Sequence, residues 1–184
     1  MSHPSNHSPV KVFFALWPTD AEREQLVAWL APLKKLCSGR VMHGDTLHAT
    51  LAFIGHIDQG RLEALQLAAQ EVSTEGFNVC FDTACYWGHN HIVYAAPTHV
   101  PQQLLQLVDA LEQRLTRHRF KFDERAYKPH VTLLRNASWS DVLLPGMPPV
   151  CWRVDDFALV QSMPQEYRML ARFPLKSPPC SSGG

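Results

Sequence analysis

Apolar positions recur along the 184-residue chain with two different spacings. Short continuous or alternating apolar runs are typical of strands, whereas apolar residues three or four positions apart are typical of amphipathic helices. The helical spacing predicts helices from a capping box at Thr19 to about residue 36, and over residues 60–72 and 100–117. The other spacing predicts strands over residues 10–17, 47–54, 77–87, 91–95, 129–135, 152–162 and 167–175, with a short extended piece at 41–43.

The order of these elements, β-α-β-α-β-β-α-β-β-β, predicts an α+β fold built from antiparallel sheet with flanking helices. Each half of the chain holds one copy of a short repeated motif, which predicts two pseudo-symmetric lobes that face each other across a central cleft. A single bilobal domain is expected over residues 10–175. Residues 1–9 are polar and predict a disordered leader, while residues 176–184 predict a flexible tail.

The repeated motif is His-x-Thr-Leu, which begins at His48 and again at His130. Two copies are expected by chance in about one in eight hundred sequences of this composition, so the repeat is informative. Side chains alternate between the faces of a strand, which places His48 with Thr50 and His130 with Thr132. Each motif strand is therefore predicted to bury one face and to offer an imidazole and a hydroxyl on the other.

Charge and cysteine content narrow the class of protein. Lys and Arg together number 17, as do Asp and Glu, so the formal charge is zero, which argues against a protein that coats long nucleic acid. Five cysteines without metal-type spacing predict reduced thiols, and the polar start of the chain predicts a cytoplasmic protein without a signal peptide. No apolar run reaches the roughly 20 residues that span a bilayer, so no membrane association is expected.

The motifs and their flanks resemble those of a known family. The first motif ends in Phe-Ile-Gly at 53–55, and the second is preceded by Lys128-Pro129 and followed by Arg135. The chain is similar to the two-histidine phosphoesterases, and within them to the bacterial RNA 2′,3′-cyclic phosphodiesterases, also called 2′-5′ RNA ligases or LigT-like proteins. The likeness extends to residues 12–18 and 157–162, and it implies the same bilobal arrangement with both motifs lining the groove.

The chemistry of the family suits the residues of the motifs. Opening a cyclic phosphate requires one group that takes a proton from water and another that gives a proton to the leaving ribose oxygen, and histidine can do both near neutral pH. Thr50 and Thr132 are placed to hold the non-bridging oxygens. This chemistry needs no metal and no cofactor.

The resemblance implies the individual roles. It makes His48 the proton donor to the 3′ oxygen and His130 the proton acceptor from water, and it places Arg135 near the phosphate. The implied product is an RNA 2′-phosphate, with a weak reverse reaction that forms 2′-5′ linkages. The implied partner is RNA with a 2′,3′-cyclic phosphate end, tRNA fragments among the candidates, and the protein is expected to be a monomer without an obligate protein partner.

Several interpretations stay open at the level of sequence. Strand parity turns Arg135 away from the site unless a bulge reverses it, so a structural ion pair is the alternative role. Tyr167 matches a family pattern in which a glycine usually stands at the position of Glu166. The basic residues of 114–121 suit either a helix dipole or RNA phosphates. Candidates for base stacking, with core packing as the alternative, are Phe14, Trp17, Trp87 and Tyr127.

Two other functions fit the same motifs. One is a phosphodiesterase of small cyclic nucleotides or of ADP-ribose cyclic phosphate. The other is a non-catalytic protein that binds RNA ends. Two intact proton-transfer groups favour an enzyme over a binding protein, because binding alone does not require both.

Overall fold

A computed structural model describes residues 8–139 and 144–177 of the chain. The helices are α1 (Asp20–Leu36), α2 (Leu62–Gln70) and α3 (Gln102–Arg117). The strands are β1 (Pro9–Leu16), β2 (Arg40–Val41), β3 (Ala49–Asp58), β4 (Phe77–Phe81), β5 (Thr83–Trp87), β6 (Ile92–Ala96), β7 (Val131–Arg135), β8 (Val150–Val154), β9 (Asp156–Ser162) and β10 (Tyr167–Pro174). Short 3₁₀ turns at Gly44–Thr46 and Gln59–Arg61 lead into β3 and α2.

Antiparallel pairing joins eight strands into one sheet of order β10-β9-β1-β3-β7-β6-β5, with β2 on β7, while β4 and β8 form a separate ribbon. The two motif strands, β3 and β7, are neighbours in the middle of this sheet. They pair only at Ala49 and Val131, so the sheet consists of two halves joined at one point. This arrangement brings the two copies of the motif together at the junction.

The helices support the junction from behind. Helix α1 packs against β7 and β8, and α3 packs against β3 and β4. Each motif strand is therefore covered by a helix that is distant from it in sequence. The Thr19 hydroxyl accepts from the Glu22 amide and the Glu22 carboxylate accepts from the Thr19 amide, which confirms the predicted capping box of α1. None of the helices in the described ranges is long and apolar enough to cross a membrane.

Strand β1 is buried on both faces, as its continuous apolar run predicts. Val12, Phe14 and Leu16 point into the main core beneath the helices. Phe13 and Ala15 belong to a second, smaller apolar cluster on the opposite face, next to the first motif. The second cluster gives the open face of the sheet an apolar floor close to His48.

Two predicted strands are each two strands in the structure. The run 77–87 breaks at Asp82, whose carboxylate accepts from the Thr98 amide, and the run 152–162 breaks at Asp155, whose carbonyl accepts from the Leu175 amide. At both breaks the chain passes from the β4–β8 ribbon to the large sheet. Periodicity continues across these breaks because both segments stay apolar, so the sequence alone does not reveal the change of sheet.

The prediction of reduced thiols is wrong for two of the five cysteines. Cys80 and Cys151 are direct cross-strand partners in the β4–β8 ribbon and form a disulfide. A separation of 71 residues in sequence hides this pairing, because only the register of the ribbon brings the two together. Cys37 and Cys85 are free thiols, and Cys180 lies outside the described residues.

The ends of the domain differ slightly from the predicted boundaries. Strand β1 already begins at Pro9, which the sequence pattern assigns to the leader. Lys176 exchanges backbone hydrogen bonds with Thr74 and Gly76, so the ordered part of the chain extends beyond residue 175. Residues 1–7 of the predicted leader and 178–184 of the predicted tail lie outside the described residues.

Candidate active site

The two motif histidines are held by the same local device. The His48 Nδ1 lies 2.7 Å from the Thr46 carbonyl oxygen, and the His130 Nδ1 lies 2.7 Å from the Lys128 carbonyl oxygen. A carbonyl oxygen can only accept, so each Nδ1 carries the hydrogen and donates it. Both Nε2 atoms are thereby left to exchange protons with a ligand. The repeat therefore extends from the sequence to the hydrogen bond that orients each ring.

Each motif strand contains a bulge at the same place. The pairing of β3 with β1 skips Leu51, and the pairing of β7 with β6 skips Leu133. Both strands show the same burial over five positions, namely buried, half-buried, buried, buried and exposed. Because the extra residue reverses the alternation, the fifth position returns to the side of the threonine hydroxyl. That position is Phe53 in β3 and Arg135 in β7.

The bulge accounts for Arg135, whose parity alone would turn it away from the site. Its positive charge lowers the pKa of both His48 and His130, so the guanidinium lies within electrostatic range of the two imidazoles. It is paired in register with Arg40, and no carboxylate among the described residues forms an ion pair with it. The structural ion pair considered for Arg135 is therefore absent from this part of the chain.

Simple alternation along the first motif strand predicts the wrong orientation for Phe53. Alternation from Ala49 groups it with the buried face, whereas its side chain is 39% exposed in the structure. The Lys11 Nζ lies 5.5 Å from the centre of its ring. A bulge signal is weak in sequence, but the repeat itself offered a clue, since Phe53 and Arg135 occupy equivalent places in the two copies.

Aromatic rings surround His48. The Trp17 ring is stacked on the imidazole, with centroids 5.3 Å apart and planes 5° apart. Phe13 lies at 4.9 Å, and Tyr167 meets the imidazole edge-on at 5.2 Å. Tyr167 thus reaches the site although Glu166 stands in place of the family's glycine, because the Met163 amide donates to the Glu166 carbonyl and closes a tight turn.

His130 has a different aromatic environment. Trp87 makes a T-shaped contact with its imidazole at 4.6 Å, and Tyr94 makes another at 5.7 Å. Tyr94 is the register partner of Thr132 across the β6–β7 pairing. Tyr94 was not predicted from the sequence, because the position of Tyr94 beside the second motif depends on a pairing between distant segments.

A model of the 2′-5′ RNA ligase superfamily matches residues 20–164 of the chain. The chain belongs to this superfamily. The RNA 2′,3′-cyclic phosphodiesterase of Escherichia coli (strain K12) is 32% identical over 154 residues, which cover 84% of this chain and 88% of that protein. The crystal structure of E. coli LigT in apo form matches with a TM-score of 0.81 and 31% identity over 91% of this chain and 98% of that one.

A second structure of E. coli LigT, complexed with 3′-AMP, matches with a TM-score of 0.82 and 30% identity over 91% of this chain and 99% of that one. The resemblance inferred from the motifs is confirmed. The α+β class with antiparallel sheet is confirmed by the same likeness to LigT.

Burial disfavours the protonated form of both imidazoles of this superfamily member in the free protein. It lowers the pKa of His48 to about 4, an effect that the hydrogen bond to Thr46 opposes and the charges of His130 and Arg135 reinforce. Burial also lowers the pKa of His130, against the hydrogen bond to Lys128 and together with Arg135. A proton donor must therefore gain its proton when an anionic ligand arrives.

Thr50 and Thr132 are half-buried beside their histidines. Within residues 8–139 and 144–177 neither hydroxyl has a protein hydrogen-bond partner. A hydroxyl of this kind can donate to a ligand oxygen without first giving up an internal bond. The described residues contain no group of three or more His, Cys, Asp or Glu side chains arranged to hold a metal.

Three of the aromatic candidates for base stacking make contacts within the protein. Phe14 is fully buried in the main core against Phe157 and Phe173, so its stacking role is excluded. Tyr127 packs against the same core, and burial raises the pKa of its phenol, whose oxygen has no partner in the described residues. Trp17 is half-buried and turns one ring face to His48, and its role in base stacking stays a prediction. Alternation could not tell the two faces of β1 apart, because both are apolar.

Proposed function

We propose that this protein is an RNA 2′,3′-cyclic phosphodiesterase that opens a terminal cyclic phosphate to a 2′-phosphate. The observation that carries the proposal is the pair of imidazoles at the junction of the two motif strands, each with Nδ1 donating to a carbonyl and Nε2 left for the ligand. The family and the E. coli relative, which bears the name of this activity, support it.

In this mechanism His130 and His48 act on opposite sides of the phosphorus. The neutral His130 takes a proton through Nε2 from a water, whose oxygen forms a bond to phosphorus. The bond from phosphorus to the ribose O3′ breaks, and the protonated His48 gives its Nε2 proton to that oxygen. The two histidines have then exchanged protonation states, and exchange with solvent restores them.

The bound phosphate itself supplies the proton donor. Keeping a proton on His48 at pH 7 against a pKa of about 4 costs about 4 kcal/mol. One negative charge about 4 Å away stabilises the imidazolium by about 4 kcal/mol at an effective dielectric constant of about 20. Binding of an anionic cyclic phosphate can therefore load His48 with its proton, so the acid forms only when there is something to cleave.

The stacked ring of Trp17 supports the assignment of His48 as the acid. An indole face is the strongest aromatic partner of a cation, and His48 lies parallel to it with only 5° between the planes. The contacts of His130 with Trp87 and Tyr94 are T-shaped instead. This ring contact opposes the burial that lowers the pKa of His48, and it stabilises the His48 imidazolium more than the T-shaped contacts stabilise that of His130.

The other residues on this face hold the substrate. Thr50 and Thr132 donate to the non-bridging oxygens, and the Arg135 guanidinium stabilises the charge that develops on phosphorus. Phe53, exposed at the place equivalent to Arg135, offers its ring to the terminal base. At equivalent places in the two copies of the repeat, Arg135 thus binds the phosphate and Phe53 binds the base.

The test is incubation of the protein, in EDTA, with a 5′-labelled oligoribonucleotide that ends in a 2′,3′-cyclic phosphate. The expected product is a terminal 2′-phosphate. An intact ring, or a terminal 3′-phosphate, contradicts the proposal. Re-joining of the product to an RNA 5′ end through a 2′-5′ linkage, the use of tRNA fragments, a cytoplasmic location and a monomeric state stay predictions.

A further inference from the structure

Four basic side chains near the Phe53 end of the site have no carboxylate partner among the described residues. They come from three separate segments of the chain. Here they are called the basic track, and they are Lys11, Arg61, Arg119 and Lys121. Except for Lys11, which is half-buried, all of them are exposed.

Direct contacts tie the track to Phe53. The Lys11 Nζ lies 5.5 Å from the Phe53 ring, and the Asp123 amide donates to the Phe53 carbonyl at 3.0 Å. The second contact fixes the segment that carries Lys121 and Arg119 alongside β3, just where β3 has parted from β7. The track therefore begins at the edge of the proposed active site.

The far end of the track is anchored as well. The Arg61 guanidinium carbon lies 4.1 Å from the Phe120 ring centre, and Nη2 donates to the Arg119 carbonyl at 3.3 Å. Arg119 adopts a left-handed backbone, with φ of 58°. Residues 119–123 span at most about 14 Å when extended, so the track is short.

Two acidic groups near the track, Glu71 and Asp123, are engaged with other partners. Glu71 pairs with Arg114 and His118, which removes those two side chains from the basic cluster of 114–121. Asp123 is bound to Arg125. The four side chains of the track are positively charged and none of them forms an ion pair with a described carboxylate, although the chain as a whole is neutral.

We propose that the basic track binds the backbone phosphates of the RNA upstream of the nucleotide being cleaved. This inference rests on the proposed function. A cyclic phosphate closes the 3′ end of its strand, so every other phosphate of the substrate lies on the 5′ side of the terminal nucleotide. With the terminal base on Phe53, the track is the adjoining surface with uncompensated positive charge. It selects oligoribonucleotides over cyclic mononucleotides and grips only a few nucleotides, in keeping with the neutral chain.

The test compares a 2′,3′-cyclic mononucleotide with a 10-mer that ends in the same cyclic nucleotide. The variant is Arg119→Asn with Lys121→Gln, since asparagine tolerates a left-handed backbone. We expect kcat/KM for the 10-mer to fall by about 5-fold, and that for the mononucleotide to stay within about 2-fold. The slope of log kcat/KM against log salt for the 10-mer should become shallower by about 0.7 for each lost phosphate contact.

The matched control is Lys34→Gln with Lys35→Gln, which removes the same charge from the exposed end of α1. It should leave both substrates unchanged. Equal losses for the 10-mer in the two variants, no loss in the track variant, or a parallel loss for the mononucleotide would each overturn the proposal. If the protein turns over neither substrate, the proposed function is overturned but the track is not. The track is then tested by the binding of a labelled 10-mer with a 2′-phosphate end, measured by fluorescence anisotropy.

Discussion

The two copies of the motif agree in their backbone and differ in their surroundings. Both histidines donate Nδ1–H to the carbonyl two residues earlier, and both strands bulge after the threonine. Around this shared frame, His48 is stacked on Trp17 and followed by Phe53, whereas His130 meets T-shaped contacts and is followed by Arg135. The repeat thus places two imidazoles in matched orientations, and the proposed division into donor and acceptor rests on the differences between their surroundings.

The largest effect should come from removing either histidine. His48→Ala and His130→Ala should each lower kcat by about 10² to 10⁴-fold, because each deletes one proton transfer. The residual pH profiles distinguish the roles: the His48 variant should lose the fall in rate at high pH, and the His130 variant should lose the rise from low pH. Exchanged profiles would reverse the assignment, and His43→Ala, at an exposed histidine, should change neither.

The fifth positions of the two bulged strands should differ in what they do. Arg135→Ala should lower kcat/KM by about 10² to 10³-fold for every cyclic substrate, because it removes charge stabilisation at phosphorus. Arg40→Ala, at its register partner, is the matched control and should have little effect. An equal loss in both arginine variants would assign Arg135 a general electrostatic role.

Phe53→Ala should cost less than the loss of Arg135. Stacking of one base contributes about 1–3 kcal/mol, so kcat/KM should fall by about 5- to 150-fold. Phe53→Tyr should restore most of the rate, since it keeps the ring, whereas Phe53→Leu should not. Similar rates for the leucine and tyrosine variants would indicate that Phe53 serves packing and not a base.

The parts of this site that depend on local pattern were predictable from the sequence. The repeat beginning at His48 and His130 and the capping box at Thr19 follow from spacing within a few residues. Contacts between distant segments were missed, such as Tyr94 against His130 and the disulfide between Cys80 and Cys151. Their positions depend on register across the sheets, which a period of two does not specify.

The two faces of β1 illustrate the same limit. Phe13 and Phe14 are adjacent and equally apolar, yet one lies beside His48 and the other lies in the main core. The ambiguity arises because β1 has paired strands on both edges and apolar clusters on both faces, and the structure shows which residue lies on which face. A strand that is covered on both sides carries no alternation that could point to the site.

Stability should fall on the acid side because of the two half-buried motif histidines. The pKa of His48 is about 4 in the folded protein and 6.5 as its ordinary value, so its contribution is fully present above about pH 6.5 and is lost as the pH falls toward 4. The loss amounts to about 3 kcal/mol, and the lowered pKa of His130 adds to it in the same direction.

Urea unfolding at pH 7.5 and pH 4.5 measures this effect, with His48→Gln and His43→Gln compared with the unchanged protein. The His48 variant should lose less stability between the two pH values than the unchanged protein does. The control at the exposed His43 should lose as much as the unchanged protein. The same acid-side loss in the His48 variant would show that other groups cause it.

The smallest predicted effect isolates the asymmetry between the two histidines. Trp17→Leu removes the stacked ring and keeps an apolar side chain, so it should lower the pKa of His48 in the complex with a 2′-phosphate product. A cation over an indole is stabilised by about 0.5–2 kcal/mol, which corresponds to a fall of about 0.4 to 1.5 in that pKa. NMR titration of the His48 ring measures this pKa directly.

The matched change Trp87→Leu beside His130 should shift the pKa of His130 less, because its contact is T-shaped. Equal shifts in the two variants would mean that ring orientation does not distinguish acid from base, and the distinction would then rest on which side of the phosphorus each imidazole faces.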